Sequence, residues 1–82
     1  MKSDFSNSSE TEIEQFYKSI SVKVKELRIK NKITQLDLAL EIGIKSVAFY
    51  SNCENNKYSK HFNLEHLYKI AKYFKIDINT FL

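Results

Sequence analysis

The groups in this chain that could do chemistry beyond charge and hydrogen bonding are few. Its soft or imidazole ligands are Cys53, His61 and His66. A zinc site needs about four such ligands at finger-like spacing, and these three are too few and too scattered. No metal and no cofactor is expected. No nucleophile has a His and an acid at a recognised spacing, and a single glycine, Gly43, cannot build a phosphate-cradling loop. Catalysis is not expected either, since 82 helical residues leave little concave volume for a pocket. What remains is contact chemistry in the polar run NNKYSKHF, residues 55–62. For Asn55 and Asn56 turn chemistry is the safer reading, and Lys57, Tyr58 and Lys60 stand beside them.

Charge is unevenly divided. Residues 1–17 carry Lys2 against Asp4, Glu10, Glu12 and Glu14, a net −3. Residues 18–82 carry twelve Lys or Arg against six acids, a net +6. Such a domain suits a polyanion such as DNA, although a solvated surface accounts for the charge as readily. Cys53 is alone, which excludes a disulfide framework and suits a reducing compartment. No run of about eighteen apolar residues is present, so no membrane partner is expected. Met1-Lys2 is followed by no hydrophobic block, so no signal peptide is expected.

These residues must be positioned by helices. Residues 1–10 are serine-rich and polar, and are read as a disordered tail ahead of one domain over 11–82. Thr11 with Glu14 forms a capping-box pattern, and Ile13, Phe16, Tyr17, Ile20, Val24 and Leu27 recur at steps of three or four. That predicts a long amphipathic helix ending near Asn31. Thr34 and Asp37 repeat the capping pattern, and Leu38, Ala39 and Ile42 form a docking stripe that Gly43 ends in a left-handed turn. A further short helix runs from Lys45 to about Glu54. Asn63 then caps a fourth, with Leu64, Leu67, Ile70, Ala71 and Phe74 on one face. A last helical turn begins near Asp77. The fold class expected is all-α, with five helices and a helix-turn-helix at about 34–54.

Taken together, VKELRIKNKITQLDLALEIGI and NLEHLYKIAKYFKIDINTFL resemble the phage repressor and Cro-like helix-turn-helix family, over about residues 19–82. The resemblance implies a small DNA-binding regulator, cytoplasmic, bacterial or phage-encoded, and nucleoid-associated. It implies that Gln35, opening the first motif helix, touches a phosphate. The second motif helix would read base edges through Lys45, Ser46, Val47 and Ser51 or Asn52, and Asn55, Asn56, Lys57, Tyr58 and Lys60 would follow the sugar-phosphate chain. It further implies an ion pair between Arg28, the only arginine, and the acid ending the reading helix. Glu54 meets that position if one extra residue stands between Gly43 and Glu54; otherwise Cys53 occupies it. A homodimer closed by Ile78, Phe81 and Leu82 on an inverted repeat is implied as well.

Several residues admit two readings. Lys45 and Ser46 can hydrogen-bond guanine or phosphate, or simply end a solvated helix. Val47 and Ala48 can meet a thymine methyl or join the core, and Phe49 reads as a core plug. Tyr50 and Tyr58 can place a hydroxyl on a phosphate or lie half-buried. Cys53 reads as a small buried residue and His66 as pointing outward, while His61 can meet a phosphate or solvent. Leu36 and Leu40 lie off the docking stripe, and the extension carrying Ile13, Phe16 and Tyr17 is expected to cover them or to join a dimer interface. The weakly polar reading helix and these extra apolar residues also admit a protein-interaction module, such as an antitoxin facing a toxin.

Overall fold

One glycine cannot end every helix, and lysine takes its place at two ends. The structure, a computed structural model, describes residues 5–82, with side chains from Thr11 onward. Helix α1 spans Phe5–Lys30, α2 Gln35–Glu41, α3 Val47–Asn55 and α4 Leu64–Phe74. Two 3-10 turns, Lys57–Ser59 and Ile78–Phe81, complete the order, and no strand occurs among the described residues. The all-α class is as expected, but the fifth helix is a 3-10 turn and a further 3-10 turn breaks the loop after α3.

Helices α1, α2 and α4 end alike, in Lys32-Ile33, Gly43-Ile44 and Lys75-Ile76. The first residue of each pair is left-handed, at φ 58°, 82° and 59°. The isoleucine N–H then bonds the carbonyl five residues back, on Arg28, Ala39 and Ala71, at 3.1, 2.8 and 2.9 Å. This satisfies carbonyls left over at a helix end and swings each isoleucine inward. Ile44 is buried, and Ile33 and Ile76 pack against the core. A left-handed lysine costs roughly 1–2 kcal/mol that glycine avoids.

The starts of the helices follow the caps more loosely. The Thr34 hydroxyl accepts the Asp37 N–H at 3.0 Å, but no return bond from the Asp37 carboxylate forms among the described residues, so only half of the capping box exists. Ser46, not Lys45, caps α3, its Oγ accepting the Phe49 N–H at 3.1 Å. At α4 the box is complete: Asn63 Oδ1 accepts the His66 N–H at 2.7 Å, and His66 Nδ1 accepts the Asn63 N–H at 3.1 Å. Thr11 caps nothing, because α1 already runs from Phe5. The disordered tail expected at residues 1–10 therefore meets helical backbone at 5–10, and residues 1–4 lie outside the described residues.

The core gathers Ile20 and Val24 from α1, Leu38, Ala39 and Ile42 from α2, and Leu67, Ile70 and Ala71 from α4. Tyr50, Cys53, Phe62 and Phe81 close it. It stops at Ile20, so Ile13 and Phe16 are about half exposed, and Leu64 is 71% exposed at the start of α4. Phe81 is 1% exposed inside its own chain, which removes it from the dimer surface expected with Ile78 and Leu82. Leu36 and Leu40 stay exposed at 50% and 60%, so the α1 extension does not cover them. No helix among the described residues is long and apolar enough to cross a membrane.

Replacing Lys75 with glycine should raise the unfolding free energy in urea by about 1 kcal/mol, worth some 4–8 °C in Tm at this size. Gly43→Ala should lower it by a similar amount. A Cβ there would meet only the flexible Lys69 Nζ at 3.5 Å, so the cost comes from the backbone at φ 82° and not from a clash.

Candidate nucleic-acid interface

The candidate interface is built around a buried acid. Glu54 ends the inward face of α3 and has a wholly buried carboxylate. Arg28 of α1 forks onto it, Nε donating to Oε2 at 2.9 Å and Nη2 to Oε1 at 3.1 Å. Gln35 Nε2 donates to Oε1 at 3.0 Å and the Tyr50 hydroxyl to Oε2 at 2.7 Å. Burial alone would push the Glu54 pKa up, but these hydrogen bonds and the Arg28 charge outweigh it and hold it below the ordinary value. Burial likewise raises the Tyr50 phenol, and the ionised Glu54 it serves raises it further. Arg28 Nη1 also donates to the Ile33 carbonyl at 2.9 Å, so one side chain links α1, the turn before α2, and α3.

The Arg28–Glu54 pair settles the register of α3. Glu54, not Cys53, takes the acid position; Cys53 is fully buried beside it, its thiol pushed up to about 11 by that burial. With Tyr50, Cys53 and Glu54 turned inward, the helical period turns Ala48, Asn52 and Asn55 outward, with Val47 and Ser51 at the margins. Val47, Ala48 and Asn55 are exposed, and Ser51 and Asn52 are half-buried. The nine residues of α3 span roughly 13 Å, close to the width of a DNA major groove of about 12 Å.

Lysines stand beyond both ends of that face. Lys45 precedes the Ser46 cap, and Lys57 and Lys60 follow the helix; all three are exposed and have no carboxylate partner among the described residues. The loop between them is strained. Asn56, Tyr58 and Ser59 are left-handed at φ 55°, 56° and 57°, and none is glycine. Tyrosine and serine each cost about 1–2 kcal/mol in that conformation, which thrusts the Tyr58 ring into solvent at 78% exposure.

One expected DNA contact sits elsewhere. Tyr50 is fully buried with its hydroxyl on Glu54, so it presents nothing to a phosphate. Gln35 is half-buried and spends one amide N–H on Glu54, which leaves its second N–H and its oxygen without a partner among the described residues. Asn55 Nδ2 turns back onto the Ser51 carbonyl at 2.9 Å. His66 does not point outward: it is half-buried, edge-on to Phe49 and Phe62 at 6.5 and 6.1 Å, and burial lowers its pKa. No cluster of metal-ligating residues occurs among the described residues.

The sequence reading passed over Ser21 and Tyr17 as site residues. Ser21, 2% exposed, donates to the Cys53 carbonyl at 2.9 Å, and its Oγ lies 3.2 Å from Asn56 Oδ1. Tyr17 stacks flat on His61, ring centres 3.7 Å apart and planes 5° from parallel. Only a polar residue interrupting the apolar stripe of α1 hinted at Ser21.

A family model described as Helix-turn-helix matches residues 24–81, which takes in α2, α3, α4 and the last quarter of α1, residues 24–30. No curated protein and no solved structure matches the chain.

A depressed Glu54 pKa stabilises the fold at pH values above that of an unfolded glutamate, about 4.3, and this contribution vanishes as pH falls through the lower folded value. Unfolding free energies measured in urea from pH 7 to 3 should therefore drop below about pH 4.3. Glu54→Gln should be less stable at pH 7 and show a flatter acid limb. Arg28→Met should cost about 3–5 kcal/mol at pH 7, because it strands a buried carboxylate.

Proposed function

The chain belongs to the Cro- and repressor-like helix-turn-helix family of DNA-binding regulators, a regulatory and not an enzymatic family, and from that premise we propose that it is a sequence-specific repressor acting as a homodimer. The observation that carries this reading is the outward face of α3, held in register by Arg28–Glu54 and bracketed by Lys45 at one end and Lys57 and Lys60 at the other. In it, α3 lies in the major groove. Lys45, Ser46, Val47, Ala48 and Ser51 meet base edges, while Lys57, Tyr58 and Lys60 meet phosphates.

One α3 covers too few base pairs for useful discrimination, which favours a dimer on an inverted repeat with half-sites about 34 Å apart. Leu82, 55% exposed, and the half-buried Ile78 are what the C-terminal turn can offer such a dimer. A second reading, a protein-interaction module such as an antitoxin, is favoured by the exposure of Leu36 and Leu40 on α2 and of Val47 on α3. A helix-turn-helix can serve both purposes, on different faces.

Selection of random duplex DNA by the purified protein at about 150 mM salt, where bare phosphate attraction is screened beyond about 8 Å, separates the two. Enrichment of an inverted repeat is the expected result; recovery of motif-free DNA, or of none, would favour the protein-interaction reading. On the selected site, Lys57→Ala should weaken binding alike on all sequences and lower the salt slope by roughly one. Lys45→Ala should instead relax the preference at one base position. Identical behaviour of the two variants would overturn this division of roles.

A further inference from the structure

The α1 helix begins well before residue 24, where the family match starts, and its earlier turns do something specific. They hold both ends of the loop that follows α3. At the near end, Asn56 Oδ1 lies 3.2 Å from Ser21 Oγ. At the far end, His61 stacks on Tyr17 at 3.7 Å, and its Nε2 lies 3.9 Å from Glu14 Oε1. The two ends are also joined to one another, His61 Nδ1 lying 3.2 Å from Asn56 Oδ1 and Cys53 Sγ 3.5 Å from the His61 carbonyl.

Between these anchors the loop has little to hold it. Lys57, Tyr58, Ser59 and Lys60 are all exposed, and two of the four are left-handed without being glycine. Conformations of that kind persist only where the surroundings over-determine them. Here the surroundings are Tyr17 and Ser21, residues of α1 that precede the matched region. A loop already in its bound shape has less order to lose when a ligand docks, and so binds more tightly through the same contacts.

We infer that the stretch of α1 from Glu14 to Ser21 is a brace that presets the Lys57–Lys60 loop for the phosphate backbone, with Tyr17 as the positioning residue acting through His61. The inference rests on the DNA-binding reading above. Tyr17 itself touches no DNA. Its removal alters the free protein and leaves the bound contacts as they were.

The full-length chain and its Tyr17→Ala, Tyr17→Phe and His61→Ala variants test this, each first confirmed as folded by its thermal melt. Amide hydrogen exchange over Lys57–Lys60 reads the free loop, and titration of the selected duplex at several salt concentrations reads binding. Tyr17→Ala and His61→Ala should each speed exchange in the loop. Each should also raise Kd by about five- to tenfold on every duplex, with the salt slope unchanged because no phosphate contact is lost. Tyr17→Phe keeps a ring to stack and should match the parent. Unchanged exchange and Kd in the alanine variants would overturn the brace. So would a salt slope lowered as far as in Lys57→Ala, which would place Tyr17 among the bound contacts. A parent chain that bound no duplex would instead bring down the DNA-binding reading and, with it, the purpose assigned to the loop.

Discussion

A single carboxylate, that of Glu54, governs how the helices meet. It has no access to water, and an uncompensated charge there would cost several kcal/mol. Arg28 supplies the opposite charge in a forked geometry, and Gln35 and Tyr50 complete the set of donors. No side-chain nitrogen or oxygen among the described buried residues is left without a partner. Because the four residues come from α1, α2 and α3, satisfying this one acid fixes three helices relative to one another. An apolar cluster could bind the same helices as tightly, but would tolerate a slip of one residue that this geometry does not. The outward face of α3 is therefore set by what its inward face must reach.

Helix ends form a second constraint. Three of them use the same left-handed turn followed by isoleucine, and two place lysine where glycine would be easier. The strain is accepted because each of the two lysine turns delivers an isoleucine to the core while leaving the lysine in solvent. The loop after α3 extends this habit with Asn56, Tyr58 and Ser59 and reaches no apolar anchor before Phe62. Among the described residues it is the one strained stretch that contacts from a distant helix support, through Ser21 and Tyr17.

Interior and candidate interface share residues along α3. Tyr50, Cys53 and Glu54 face the core, while Ala48 and Asn55 of the same helix face outward. The polar character of the outward face is modest, with Val47 and Ala48 beside Ser51 and Asn55. In the proposed role, such a face takes much of its affinity from the flanking lysines and its discrimination from a few contacts and from shape.

Local signals determined what the sequence alone could determine. The caps at Thr34 and Asn63, the glycine after α2, and the stripe of Leu38, Ala39 and Ile42 depend on residues within a turn or two of one another, so spacing suffices to read them. The family resemblance followed from the same stretches. Tertiary structure alone decided which of two adjacent residues meets Arg28. Cys53 and Glu54 are both buried, and a helical period near 100° per residue cannot choose between adjacent positions; the place of Arg28 on α1 chooses. Tyr50 and Phe81 read equally well as surface residues until the other helices close over them. The stack of Tyr17 on His61 joins positions 44 residues apart, and no pattern along the chain encodes a contact that exists only once α1 crosses α3.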